Sequence, residues 1–298
     1  MPTPWEGIFC ALWTPTDPNG LLLENDLKRN LQFIRSKGVH GLLALGSTGE
    51  FLHLNLSARK GFLEKLLPQA IDLPVIVNIS DIRPRAVKEL GCFARERGAA
   101  AVAILPPYFY PVSQADLVEF FVSAGEAAQL PVFLYNFPER VGNHISLETI
   151  SAVADRTRLA GVKQSGGEFD YHRSLVELGK NKHFVVFTGS DTRLPEAMAL
   201  GVRGCASGLA NAVAEVVGEV FAAVRTGASA AGDVAIDRMR QIGLLVDRLE
   251  FPLNVAAVME ARGLSPGWPK SAVSRETRER YQELLGGIRH LLREWKLI

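Results

Sequence analysis

Cysteine is scarce in this chain of 298 residues: there are three, Cys10, Cys92 and Cys205, an odd number at wide spacing. That argues against a disulfide framework and a cysteine-based metal cluster, and points to a reducing compartment. Net charge is scarce too. Thirty-three basic residues against 32 acidic ones leave +1, which gives no electrostatic case for nucleic acid or an anionic membrane as partner. No apolar run approaches the roughly 18 residues of a membrane-spanning helix. The opening Met1-Pro2-Thr3-Pro4-Trp5-Glu6 lacks the basic start and apolar stretch of an export signal, so a cytoplasmic protein is expected. The six histidines (His40, His53, His144, His172, His183, His290) show neither His-x-His nor His-Glu-x-x-His spacing, so no metal site is expected. A Walker loop and a Gly-x-Ser-x-Gly elbow are also missing.

What is present is alternation. Hydrophobic residues make up 47% of the chain, enough for a large core. Eight short apolar runs read as strands: 8–13, 39–45, 75–79, 100–105, 132–135, 159–163, 184–188 and 204–207. Helical stretches lie between them, over 24–37, from a cap at Ser57, over 84–97, 114–129, 146–155, 170–180 and 191–200, and from near Asn211. Eight strand–helix units in roughly 220 residues match a (β/α)8 barrel. An open doubly wound sheet would carry Gly-x-Gly-x-x-Gly after the first strand, where this chain has Thr14-Pro15-Thr16-Asp17. Beyond about residue 226 the strand signals stop, and helices are expected near 230–249, 252–262 and 273–295. The expected organisation is an α/β protein, a (β/α)8 TIM barrel over residues 1–225 with a C-terminal helical extension over 226–298 packed on it.

In such a barrel the working groups sit at the C-terminal ends of the strands. Those ends carry Ser47 and Thr48, Tyr108, Tyr135 with Arg140 beyond it, Lys163, Asp191 and Ser207. Each has an ordinary structural explanation. Ser47 and Thr48 suit a turn, Asp191 suits a helix cap, and a tyrosine at a strand end suits a core with a wet hydroxyl. Lys163 ends the apolar run Leu159-Ala160-Gly161-Val162 and is followed by Gln164-Ser165-Gly166-Gly167. A lysine in that setting is either snorkelling at the edge of a core or a tuned amine. An amine nucleophile suits a carbonyl substrate, which it converts to a Schiff base. An unperturbed lysine of pKa about 10.4 is only about one part in a thousand neutral near neutral pH. Burial is expected to lower that value, and enzymes tune such lysines to roughly 7–8. A phenol can relay protons, a Ser-Thr turn can hold a carboxylate, and a guanidinium can hold a second anion.

Gly46-Ser47-Thr48-Gly49-Glu50, Tyr135-Asn136-Phe137-Pro138, Gly161-Val162-Lys163 and Gly201-Val202-Arg203-Gly204-x-x-Ser207, in this order and spacing, resemble the dihydrodipicolinate synthase/N-acetylneuraminate lyase family. The resemblance covers roughly residues 5 to 295. It implies a (β/α)8-barrel class I aldolase, homotetrameric or dimeric, without a cofactor, acting on pyruvate or another 2-keto acid. By matching position it implies that Lys163 is the Schiff-base lysine and Tyr135 the proton relay. Ser47 and Thr48 would bind the keto-acid carboxylate, with Ala206 facing it. Arg140, Gly189 and Asp191 would contact the remainder of the substrate.

Some positions depart from the family pattern. The synthase branch carries two adjacent tyrosines after the fourth strand, where this chain has Tyr108-Phe109 followed by Tyr110. The lyase branch carries an acidic pair where this chain has Asp191-Thr192, and a serine where it has Gly208. The expected function is therefore a lyase or aldolase making or breaking the bond beside a 2-keto acid, or dehydrating a keto-deoxy sugar acid. The alternatives are 4-hydroxy-tetrahydrodipicolinate synthase proper and a non-catalytic keto-acid-binding homologue. The expected partners are a 2-keto acid and an aldehyde or sugar acid.

Overall fold

The computed structural model describes residues 5–227 and 230–298; the reading of Met1 to Pro4 lies outside them. Eight strands form the barrel: β1 (Gly7–Ala11), β2 (Gly41–Ala44), β3 (Val75–Asn78), β4 (Ala101–Ile104), β5 (Val132–Asn136), β6 (Leu159–Gln164), β7 (Val185–Thr188) and β8 (Gly204–Ser207). Each pairs in parallel with the next, and β8 closes on β1 through Gly7–Gly204 to Cys10–Ser207. The helices are α1 (Glu24–Ser36), α2 (Leu56–Leu66), α3 (Pro84–Glu96), α4 (Gln114–Ala128), α5 (Pro138–Val141), α6 (Leu147–Arg156), α7 (Tyr171–Lys182), α8 (Leu194–Ala199), α9 (Ala210–Thr226), α10 (Ala230–Val246), α11 (Leu253–Ala261) and α12 (Arg275–Glu294). The eight expected strands are all there. Two expected caps are not. Helix α2 is capped by Asn55, whose side chain accepts from the Ala58 amide, rather than by Ser57. Helix α8 starts after Arg193, and Asp191 does not cap it.

The barrel interior is a packed core. Phe9, Phe133 and Phe187, from β1, β5 and β7, meet edge to face with ring centroids 5.1 and 5.6 Å apart, and Trp5 closes the bottom at 5.2 Å from Phe133. Neighbouring strands make room. A Cβ at Gly41 or Gly161 would lie 2.3 Å from the Phe9 or Phe133 ring. Large rings and absent side chains on alternate strands interlock in the barrel interior.

One irregularity decides the site. Along β5 and β6, Val132 pairs with Leu159, but Phe133 pairs with Gly161, so Ala160 is an extra residue. Side chains in a strand alternate faces, and a bulge resets that alternation. Leu159 packs outward with the shell of the barrel, and Val162 does so too. Two such outward residues three apart are possible only because the bulge intervenes. Without it Lys163 would share the face of Leu159, away from the barrel axis.

The C-terminal helices pack on this frame. Leu284, Leu285, Ile288, Leu291 and Leu292 make the buried stripe of α12 at helical spacing. The segment before α12 reaches the top of the barrel. There the Trp13 indole donates to the Pro266 carbonyl at 2.6 Å, and Lys270 bonds the Thr14 carbonyl and the Glu50 carboxylate, both at 2.8 Å.

On the β2–β4 side the loops are tied by a buried charge. Arg59 donates to the Leu54 and Ser80 carbonyls at 3.0 and 2.8 Å, and its guanidinium lies 3.5 Å from Asp81. Asp81 also accepts two bonds from Arg83. Burial pushes the Asp81 carboxyl up, but the Arg83 bonds and the Arg59 charge outweigh it and hold it below its ordinary value. A carboxyl lowered on folding stabilises the fold above its unfolded pKa, and that contribution fades as pH falls through the folded value. Asp81→Asn is therefore expected to lose on the order of 2 kcal/mol at neutral pH. Denaturant unfolding at stepped pH should show the gap to wild type closing below about pH 4.

Candidate active site

Lys163 enters the barrel mouth from β6 and is 7% exposed. Its cross-strand partner on β5 is Tyr135, 1% exposed, and the Lys163 Nζ lies 3.8 Å from the centre of the Tyr135 ring. The register pairing thus sets the contact between amine and phenol. The phenol oxygen is 3.1 Å from the Ser47 hydroxyl and is also bonded by Ser165. Burial raises the Tyr135 pKa, but the Lys163 charge and the hydrogen bonds from Lys163, Ser47 and Ser165 pull it back below the ordinary phenol value.

Ser47 and Thr48 are held by a tight turn after β2. Leu45 and Glu50 both adopt the left-handed backbone region there. Gly49 presses on the barrel top, where a Cβ would come within 2.8 Å of the Leu12 carbonyl oxygen. Lys270 pins Glu50 from behind. Gly189, after β7, is small for a local reason. A Cβ there would collide with the Ser165 hydroxyl at 2.0 Å and crowd the Lys163 Cε at 3.2 Å.

Asp191 turns inward instead of capping α8. Its carboxylate accepts from the Leu209 amide at 3.2 Å, lies 3.6 Å from the Cys205 sulfur and is bonded by Ser207. Burial raises its pKa, and these bonds offset only part of that rise. Arg140 rides on the short helix α5, which the sequence reading did not anticipate, and lies exposed at the mouth.

Eight of the ten residues singled out from the sequence, Ser47, Thr48, Tyr135, Arg140, Lys163, Gly189, Asp191 and Ala206, line one cavity of about 270 Å³. Ser207 lies behind its wall, bonded to the Ala210 amide at 2.9 Å. Tyr108 is turned away and bonds Arg59. Phe109 and Tyr110 are exposed and stack edge to face, with centroids 4.9 Å apart, outside the cavity. Sequence reasoning missed Ser165, although it stands two residues after Lys163 and strand periodicity puts it on the same face. It also missed most of the far wall, with Ser190, Asp247, Phe251 and Asn254, and met Thr192 only as a departure from the lyase pattern. A larger cavity of about 430 Å³ lies between Trp13, Trp268 and α12. Its acidic groups Glu50 and Glu260 are already bonded to Lys270 and Tyr281, and it contains no amine, so the chemistry belongs to the smaller cavity.

A closed parallel barrel with a buried amine, a phenol and a hydroxyl turn at the C-terminal ends of its strands belongs to the barrel enzymes that work at that rim. The sequence model of the dihydrodipicolinate synthetase family matches residues 4–288. A 4-hydroxy-tetrahydrodipicolinate synthase of Methanopyrus kandleri is 30% identical over 288 residues, covering 94% of each chain. Escherichia coli K12 YagE, whose name assigns it provisionally as a 2-dehydro-3-deoxy-D-gluconate aldolase, is 32% identical over 202 residues, covering 65% of this chain and 67% of its own. The crystal structure of YagE in complex with pyruvate superimposes with a TM-score of 0.89 at 26% identity and covers 99% of both chains. The chain belongs to the dihydrodipicolinate synthetase family and is an enzyme of its lyase and aldolase kind.

The hydrogen bonds at Tyr135 give a direct test of the geometry. Tyrosinate absorbance, taken as wild type minus Tyr135→Phe, should titrate below an ordinary phenol. In Ser165→Ala the midpoint should move to higher pH, because a hydrogen bond that favours the phenolate is gone.

Proposed function

We propose that the protein forms a Schiff base between Lys163 and the keto carbon of pyruvate, or of a longer 2-keto acid, and makes or breaks the adjacent carbon–carbon bond. The contact that carries this reading is the Lys163 amine over the Tyr135 ring, with the Ser47 hydroxyl on the same phenol, inside one cavity. The pyruvate bound to the related YagE supports a keto acid as the substrate.

The steps follow from these groups. The neutral amine attacks the keto carbon and a carbinolamine forms. Tyr135 passes a proton to the departing hydroxyl, and water leaves to give the protonated imine. In the cleavage direction the hydroxyl two carbons beyond the imine carbon gives its proton to the Tyr135 phenolate, the bond between that carbon and the one beside the imine breaks, its electron pair moves toward the imine to give an enamine, and the outer carbon departs as an aldehyde. Protonation of the enamine carbon and addition of water then release pyruvate and the free amine. Throughout, Ser47 and Thr48 hold the keto-acid carboxylate, with Ala206 against it. Gly189 leaves the amine room to move, and Arg140 and Asp191 flank the outer half of the substrate. The working unit is the barrel over residues 1–225 with the extension 226–298 seated on it, acting in the cytoplasm as a homo-oligomer.

A synthase proper is the second reading, favoured by the name of the full-length relative from Methanopyrus kandleri. It is weakened by Phe109, which lacks the hydroxyl that the resemblance implies for that position.

The test is a panel of 2-keto acids and aldehydes, read by pyruvate release or consumption. Turnover is expected with the wild type and none with Lys163→Ala. Tyr135→Phe should lose about a hundredfold or more in kcat, the usual contribution of a positioned proton-transfer group. Turnover that persists in Lys163→Ala, or no turnover of any substrate by the wild type, would overturn the reading.

A further inference from the structure

The proposed chemistry leaves one buried ammonium without a task. Lys270 lies between α11 and α12, and its Nζ donates to the Glu50 carboxylate and the Thr14 carbonyl, both at 2.8 Å, beside the Trp13 ring at 5.3 Å. The Lys270 and Glu50 side chains are only 4% and 9% exposed. Docking of the segment does not depend on this pair. Trp13 holds the Pro266 carbonyl, the Trp268 amide donates to the Thr16 carbonyl at 2.8 Å, and the Ser271 hydroxyl lies 3.3 Å from the His53 ring nitrogen. A buried ion pair is often no more stabilising than apolar groups of the same volume, which points to a role other than stability.

Glu50 shapes the turn to which the Schiff-base reading gives the keto-acid carboxylate. Its amide donates to the Ser47 carbonyl at 3.0 Å and closes the turn Ser47-Thr48-Gly49-Glu50. Its φ of 54° lies in the left-handed region, which costs energy for a residue with a side chain and persists only where the surroundings hold it. Lys270 supplies that hold through the carboxylate. The charge matters as much as the anchor. Ser47 and Thr48 line the cavity, and a buried carboxylate follows Thr48 by two residues. With Lys270 in place the pair is neutral. Without it a bare negative charge, poorly screened by water, would stand near the place of a second one.

We propose that Lys270 is a positioning residue for the keto acid: it anchors and neutralises Glu50, so that the Ser47-Thr48 turn accepts an anion. The proposal rests on the Schiff-base reading and makes the C-terminal extension part of keto-acid binding. Lys270 is not among the residues that line the catalytic cavity and acts only through Glu50. An asymmetry follows that a simple brace would not give. Loss of Lys270 leaves a buried negative charge and weakens the binding of an anion. Loss of the Glu50 charge leaves a positive one and does not.

The experiment reads exchange of the pyruvate methyl hydrogens with deuterated water, which needs only the imine and the enamine. Lys270→Met should raise KM for pyruvate by about tenfold or more, the effect of a unit charge several ångströms away at a low effective dielectric, with kcat little changed. Lys270→Arg should keep most of the wild-type affinity. Glu50→Gln, whose amide carbonyl still accepts from Lys270, should not raise KM. Glu50→Gln/Lys270→Met, which leaves no bare charge, should bind pyruvate better than Lys270→Met alone. The proposal is overturned if Lys270→Met leaves KM unchanged, if it lowers kcat as much as it raises KM, if Glu50→Gln raises KM as Lys270→Met does, or if the double variant is no better than Lys270→Met. Should circular dichroism show that Lys270→Met does not fold, Lys270→Gln, which keeps a hydrogen bond to Glu50 without the charge, takes its place under the same expectations, and Glu50→Gln remains a test by itself. A wild type that fails to exchange the methyl hydrogens would instead bring down the Schiff-base reading, and this inference with it, for a separate and recognisable reason.

Discussion

Leu159 and Gly161 of β6 pair with consecutive residues of β5, and Ala160 between them is left over. On that single extra residue depends the direction of the Lys163 side chain. Strand alternation would otherwise send the amine outward with Leu159. Because the shift lies below the site, the register beyond it is regular, and Tyr135 and Lys163 face each other directly. The amine–phenol contact is therefore a product of backbone pairing rather than of flexible side chains. A group held in this way keeps its geometry when the substrate changes, as a preorganised site requires.

The surrounding residues serve the same contact in two ways. Some supply space. Gly161 admits the Phe133 ring that floors the site, and Gly189 admits the Lys163 stem beside Ser165. Others supply polar partners to buried groups. Ser47 and Ser165 both reach the phenol; the turn of Ser47 is braced from outside the barrel through the Glu50–Lys270 pair, and Ser165 is held by its backbone bond to the Asn136 carbonyl of β5 at 3.0 Å. The brace on Ser47 comes from the C-terminal segment. That segment also carries the outer wall of the cavity through Asp247 and Asn254. It thus supports the reacting end from behind and bounds the tail end from the front.

Much of this was legible in the residues. Apolar runs of strand length, alternating with amphipathic helices and punctuated by Gly and Pro, carry the barrel in their rhythm. The strand-end rule then picks out the amine, the phenol and the hydroxyl turn. The errors have local physical causes. Asn55 and Ser57 are both good caps two residues apart, and only the backbone geometry at Asn55 decides between them. Asp191 has the composition of a cap, but its carboxylate finds an amide, a thiol and a hydroxyl in the interior instead. The Ala160 bulge has no compositional signature, since it exists only in the pairing with β5. Asp247 stands 84 residues after Lys163 (247 − 163), just past the end of a helix in the extension, so no periodicity links the two. A site wall built across that distance is visible only once the extension is folded against the barrel.

The claim at the centre of this account is that Lys163 bonds covalently to the keto carbon. Its most direct measurement is borohydride reduction of the protein in the presence of pyruvate, followed by intact mass and peptide mapping. The account predicts one reduced pyruvyl adduct per chain, on the peptide containing Lys163, and its loss in Lys163→Ala. No adduct, or an adduct that maps to another lysine or survives in Lys163→Ala, would contradict it.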